Sequence, residues 1–413
     1  MNREGAKKER GEKLCGKRLQ EGDFVDSVDS IVIGAGVIGL AVAGELVKRW
    51  PDKSVLLVEQ EEKFGQGLSS RTSEVIHSGV YYAAGSLKAR LCVTGGRLLY
   101  DFCQQWQVPY QRLGKLIIAR DKQDLAALAG LQQQAYANGI RDVTRLDSAD
   151  IQALEPHIHA EAALFSPSSG IIDSHKLMAR LEQNDRQGGV IFAYHQQVSR
   201  IVPIESAYNV YLHGPDGAEE SIRCRCLINS AGLLSDKIAA MQGIDVDQAG
   251  YRIYRCKGEY FAVHNEKAGW VSHLVFPVAI RELKGSGIPV IKAMDGRLRL
   301  GPDAHYAPAG FTNYNVNPAN ASQFLSVVKP YLPFLAAADL QADMAGLRPR
   351  LLVPCGSPPR DFVICHETER GLAGIVNLLG IESPGMTCCF SIAAMVADLI
   401  QPKMNNCNGF ANF

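Results

Sequence analysis

Three glycines and one acid carry the clearest chemistry in this sequence. In DSIVIGAGVIGLAVAGELVKRW, Gly34, Gly36 and Gly39 stand between a short β-branched run (Ile31, Val32, Ile33) and a stretch with helical character. G-x-G-x-x-G at a strand–turn–helix junction is the pattern of a dinucleotide site. Gly34 permits the tight turn, Gly36 lets the backbone approach a pyrophosphate, and Gly39 lets helix and strand pack closely. Val37 and Ile38 open the helix, whose free N–H groups face the phosphates. KSVLLVEQ then reads as a second buried strand, ending at Glu59 and Gln60, with Glu59 20 residues after Gly39. An acid there accepts hydrogen bonds from both hydroxyls of an adenosine ribose and repels a 2′-phosphate, which argues against NADP.

Two more turns bear on which dinucleotide is bound. RCRCLINSAGLLSD is a buried strand ending in Ala231-Gly232. GIVNLLGIESPGMTCCFSIAAMVADLI is a strand, a turn holding Gly380, Ile381, Glu382, Ser383 and Gly385, and an apolar helix opening with Met386 and Thr387. A helix N-terminus beside a flavin ring stabilises the negative charge that reduction leaves there. Three small-residue turns from distant segments suit a long cofactor, FAD. The sequence has no second G-x-G-x-x-G unit, so electrons are expected to come directly from a small substrate. SSRTSEVIHSGVYY, residues 69–82, follows these strands and is polar enough to line such a site.

The remaining composition is that of a soluble protein. Its 413 residues suggest two domains, and 43 basic side chains balance 43 acidic ones, giving no electrostatic case for nucleic acid. The 11 cysteines form no C-x-x-C pair and no metal-ligand spacing, which points to free thiols in a reducing, cytoplasmic setting. Cys224 and Cys226 are read as strand packing. Residues 30–47 carry one charge, Glu45, but Asp23, Asp26 and Asp29 precede them, so no transmembrane segment is expected. Peripheral membrane association stays open. Residues 1–27 and 401–413 are expected to be tails, the first being dense in charges of both signs.

Several stretches resemble the FAD-dependent oxidoreductases of the D-amino-acid-oxidase-like superfamily, and within it the L-2-hydroxyglutarate dehydrogenase/oxidase group. They are VIGAGVIGLAVAGEL, SSRTSEVIHSGVYYAAGSLKARLCVTG, GKLIIA, GIIDSHKL, INSAGLLSD, KGEYF, DGRLRLGPDA, AGLRPRL and NLLGIESPGMT. The resemblance implies an α/β and α+β fold: a discontinuous Rossmann-like FAD domain (28–101, 169–244, 341–400) and a substrate domain on a mixed β-sheet (102–168, 245–340). YRIYRCKGEYFAV and GRLRLGPDA read independently as strands of that second domain, and DLAALAGLQQQAYANG as a helix ending at Asn138-Gly139.

The implied activity is oxidation of an L-2-hydroxy acid to a 2-oxo acid, with a hydride passing to flavin N5. Such a reaction needs a base, a carboxylate clamp and a fixed Cα. His77 is the candidate base because histidine titrates near neutrality. Arg348, in GLRPRL, is the candidate clamp, since guanidinium binds carboxylate in a bidentate fork. Lys257, Glu259 and Tyr260 are expected to start a strand beside the flavin and Tyr81 and Tyr82 to cap the pocket, with Lys257 and Tyr82 counted beside His77 and Arg348 as catalytic residues. Ser70, Arg71, Thr72 and Ser73 are assigned to the pyrophosphate and ribityl chain, and Val198 to adenine through its backbone. His77 and Arg348 are also counted as flavin contacts.

Three stretches depart from the group's pattern. Thr72-Ser73-Glu74 adds a negative charge before Val75-Ile76-His77, GIPVIKA places Pro289 and Ile291 where histidine and threonine are usual, and Cys388-Cys389 opens the last helix. The alternatives are an amino-acid oxidase or dehydrogenase on the same scaffold, and a flavin-binding protein without turnover.

Overall fold

The computed structural model describes residues 27–264, 266–278, 287–308, 310–351 and 360–405. Of the expected tails, 1–26 and 406–413 lie outside the described residues. The C-terminal tail expected from 401 does not begin there. The helix Gly385–Asn405 continues through it, with Met404 buried on the first strand and Trp50 donating to Asn405 at 3.0 Å.

An eight-stranded sheet forms one half of the molecule. Its parallel centre runs Ile375–Leu379, Glu219–Asn229, Ser27–Ile33, Val55–Val58, Ile191–Ala193. Val55–Val58 reads as a continuous apolar run because helices and further strands cover both faces: all four residues of VLLV are buried. The helices Val37–Arg49, Leu87–Trp106 and Gly385–Asn405 share one core cluster on this sheet. Gly34 (φ +100°) makes the turn into the first of them, and a Cβ on Gly39 would collide with the Gly34 carbonyl. The close helix–strand packing expected of that glycine is therefore present.

A nine-stranded mixed sheet forms the other half, in the order His305–Tyr306, Ile253–Val263, Leu298–Leu300, Val290–Lys292, Leu274–Pro277, Lys115–Ala119, Ala162–Ser166, Thr144–Asp147. Gln341–Leu351 pairs with Ile253–Val263 in this sheet, through nearly the whole length of both strands. Assigning 341–351 to the cofactor domain is thus corrected: its ladder partners belong to the substrate sheet, and the return comes after residue 351. The boundary at 102 also moves, because Leu87–Trp106 is one helix whose Cys92, Leu99 and Cys103 pack in the cofactor-side core. A small antiparallel sheet of Val75–Ile76, Gly170–Ile172 and Tyr110–Gln111 joins the halves and fixes the segment leading to His77.

Residues 30–47 fold as strand, turn and core helix. Among the described residues, Gly385–Asn405 is the one helix long and apolar enough to cross a membrane. Cys388, Ile392, Val396 and Ile400 are fully buried in the core cluster, which accounts for its apolar composition.

Candidate active site

The carboxyl ends of four parallel strands open onto one cavity of about 1810 Å³. Loops following Ile33, Val58, Asn229 and Leu379 all contribute to its lining. Ligands of open α/β sheets bind at this position. The volume exceeds the roughly 300–1,000 Å³ of an ordinary small-molecule pocket, leaving room for a dinucleotide together with a substrate.

The dinucleotide portion carries donors and space, not bulk. Gly34, Gly36, Val37 and Ile38 line it, and the helix they start has no acid in its first turn. A Cβ on Gly232 would meet no protein atom within 4 Å, so that turn presents bare backbone to the cavity beside Ala231. Glu59 sits at the wall, accepting from Ala35 N at 2.7 Å and Glu61 N at 3.0 Å, with burial raising its pKa. Gln60, Arg71, Thr72, Ser73, Val198, Ile381, Glu382, Ser383, Gly385, Met386 and Thr387 also line the cavity. These features fit an extended, doubly phosphorylated cofactor.

Three assigned residues do not reach it. Ser70 turns back to the Gly67 carbonyl at 3.1 Å, and Ser69 lines the cavity instead, accepting from Val37 N at 3.0 Å. Gly39 and Gly380 serve packing and turning. A Cβ on Gly380, whose φ is +67°, would lie 2.7 Å from Leu351.

At the substrate end, His77 lines the cavity with Tyr81, Tyr82, Tyr260, Phe276, Ile291 and Arg348. Its backbone N–H donates to Thr387 Oγ1 at 3.1 Å, and Ser383 Oγ lies 3.1 Å from Nε2. The strand Val75–Ile76 and the start of the last helix hold it between them. His77 keeps an accessible edge toward the cavity, yet protein surrounds it. Burial, and then the charge of Lys115, push its pKa down to about 3. The shift runs away from the near-neutral titration expected of a histidine and favours the neutral imidazole. Tyr82 packs edge-on, 6.4 Å from the His77 ring, and burial raises its pKa well above the phenol range.

Arg348 lines the cavity and donates to the Asp303 carbonyl. Arg255 lines it too, donating to the Phe311 carbonyl at 2.5 Å. Neither has an ion-pair partner among the described residues, so both guanidinium charges remain available to an anion. Lys257 is corrected. It is in the middle of Ile253–Val263, not at its start, and it does not line the cavity. Its ammonium is bound to Glu259 at 2.7 Å and the Asn315 carbonyl at 2.5 Å. Alternation along the strand sends Tyr260 into the cavity and Glu259 toward Asn320 at 2.7 Å.

Glu382 is central to a network absent from the sequence reading. It binds Lys88 at 3.0 Å and Arg350 at 3.1 Å, all three side chains being nearly buried. Burial acts to raise its pKa, but Lys88, Arg350 and Arg348 together outweigh that and hold the carboxylate ionised. Two signals pointed to these partners: Lys88 lies in SLKARLC, and Arg350 is two residues from Arg348, hence on the same strand face.

Glu74 does not add charge to the flavin region. With φ +59° it turns away, and its carboxylate accepts from Ser174 N at 3.1 Å and Ser174 Oγ at 2.8 Å, at the start of the helix Ser174–Gly188. An acid at a helix N-terminus is favourable. Pro289 and Ile291 line the cavity, making that wall apolar.

The fold and the cavity define a dinucleotide-dependent α/β protein with an anion-receptive substrate chamber. Residues 29–399 match the FAD dependent oxidoreductase family, and the chain belongs to it. It is 33% identical to "L-2-hydroxyglutarate dehydrogenase, mitochondrial" of Arabidopsis thaliana, covering 90% of this chain and 83% of that one. Its identity to the Homo sapiens protein of the same name is 28%, over 94% and 92%. Among solved structures it resembles L-alpha-glycerophosphate oxidase from Mycoplasma pneumoniae with FAD bound (TM-score 0.79, 25% identity, 91% and 95% covered). It shares its fold with glycine oxidase from Geobacillus kaustophilus (TM-score 0.74, 19% identity, 92% and 95% covered).

Proposed function

We propose that this FAD-dependent oxidoreductase oxidises a small L-2-hydroxy acid of the L-2-hydroxyglutarate type to the 2-oxo acid. The observation that carries this reading is the placement, in one chamber, of the His77 imidazole with two guanidinium groups, Arg348 and Arg255, that have no ion-pair partners among the described residues. FAD, when bound along the glycine turn, Glu59, Ala231–Gly232 and the 380–387 loop, supplies the acceptor for the hydride leaving Cα. Arg348 holds the carboxylate, with Arg255 as a second positive group in the same chamber. The hydroxyl proton passes to the His77 ring nitrogen that Ser383 leaves free, Ser383 Oγ fixing the ring through Nε2 at 3.1 Å. Tyr82, Phe276 and Ile291 exclude water around the reacting carbon.

Relatives with "L-2-hydroxyglutarate dehydrogenase" in their names support the substrate class. A reducing compartment, the cytoplasm in the first instance, belongs to the same reading, because the eight described cysteines are free thiols. Fractionation of cells tests that location. The activity is tested by mixing holoprotein anaerobically with a panel of 2-hydroxy acids, D-amino acids and glycine while following flavin absorbance. Bleaching by hydroxy acids alone is expected. Bleaching by amino acids alone would overturn the proposal in favour of C–N oxidation.

A further inference from the structure

Lys115 is 1% exposed, on the strand Lys115–Ala119 of the substrate sheet. Its ammonium has neither a carboxylate nor a hydrogen-bond partner among the described residues. What surrounds it is aromatic: Nζ lies 5.0 Å from the Phe276 ring centroid and 5.3 Å from that of Tyr81. Phe276 in turn sits edge-on to His77, 6.4 Å between centroids. A buried ammonium without a counter-ion is costly. Its persistence here, one aromatic layer behind the imidazole that faces the chamber, calls for a function.

The chamber supplies one. His77 faces a space built for carboxylates, and a carboxylate beside an imidazole favours the protonated ring. A protonated His77 has no lone pair for the substrate's hydroxyl proton. A fixed positive charge behind the ring opposes that protonation. We propose that Lys115 is a positioning residue whose buried ammonium keeps His77 in its neutral, proton-accepting form. The assignment rests on the hydroxy-acid reading above for its catalytic meaning, but not for its electrostatics. The other titratable groups around the ring are Tyr81 and Tyr82 on its own loop, Cys92 on the neighbouring helix, Cys388 on the last helix and Glu382 beside Ser383. Of these Glu382 is ionised, and its charge is neutralised by Lys88 and Arg350. Arg348 and Arg255, which line the same chamber, also lack ion-pair partners among the described residues and add positive charge of the same sense. Lys115 is the cation set against Phe276 and Tyr81 beside the ring, and burial pulls its own pKa down to about 8.

The test is a titration of His77 in ¹³C-histidine-labelled protein by NMR, without substrate, in apo and FAD-bound forms, with His77→Asn assigning the signal. In the wild type the ring stays neutral down to about pH 5; in Lys115→Met its midpoint rises by about one unit or more, and Lys115→Arg restores it. In the holoenzyme, the acid limb of the flavin-reduction pH profile moves up with it. An unchanged midpoint in Lys115→Met, or a rate lowered equally at every pH, overturns the proposal. If Lys115→Met fails to bind FAD, Lys115→Gln, which keeps a polar head, carries the same comparison. A wrong substrate class leaves the substrate-free titration untouched, so the two failures are distinguishable.

Discussion

Glu382→Gln removes the one negative charge between Lys88 and Arg350 in the loop that leads into the last helix. The three side chains are 8%, 11% and 6% exposed, so solvent screens them little. Breaking one partner of a buried ion pair costs about 3–5 kcal/mol, because the cations left behind lose both their solvent and their counter-ion. At roughly 2 °C per kcal/mol for a large domain, Tm falls by about 6–10 °C. The loss has a pH signature. Glu382 titrates below the ordinary carboxylate range when folded. Its stabilisation is therefore fully present above the unfolded value near ~4.3 and disappears as pH falls through the lower folded one. The assay is thermal unfolding of holoprotein by FAD fluorescence and of apoprotein by circular dichroism, from neutral pH down to about pH 3, below the unfolded carboxylate value. A variant within about 1 °C of wild type, or a difference that widens on acidification, would refute the reasoning.

His77→Ala, with FAD retained, is expected to slow flavin reduction by roughly 10²-fold or more; a near-normal rate in stopped-flow would remove His77 from proton transfer. Arg348→Met forfeits a charge-assisted contact worth about 1.5–3 kcal/mol, so the substrate concentration giving half-maximal reduction rises roughly 10- to 100-fold. An unchanged value would place the carboxylate elsewhere, with Arg255 next to be replaced. Lys257→Met leaves buried Glu259 without its cation and lowers stability by roughly 3 kcal/mol in urea unfolding, while flavin reduction keeps its wild-type rate. A large rate loss would return Lys257 to the chemistry.

The cofactor half was legible in sequence because its constraints are local. Gly34, Gly36, Gly39 and Glu59 stand at fixed spacings, and each spacing follows from one turn and two strands. The substrate half was less so. Lys257 and Arg348 are in paired strands, and only the register opposing Cys256 to Arg348 decides which side chains face the chamber. A one-residue difference reverses the face, which is why Tyr260 enters and Lys257 does not. The downward shift of His77 comes first from burial and then from a charge 38 residues away in sequence, neither of which spacing along the chain reveals. Glu74 had a non-local answer, an acid one hundred residues before the helix it stabilises. Nothing near it in sequence indicated that helix.

The most direct measurement is anaerobic stopped-flow mixing of the FAD-bound protein with L-2-hydroxyglutarate and separately with its D-enantiomer, with the product analysed by mass. The account predicts bleaching of the flavin by the L-enantiomer and one equivalent of the 2-oxo acid per flavin reduced. A flavin left oxidised by L-2-hydroxyglutarate and by every shorter L-2-hydroxy acid would contradict it.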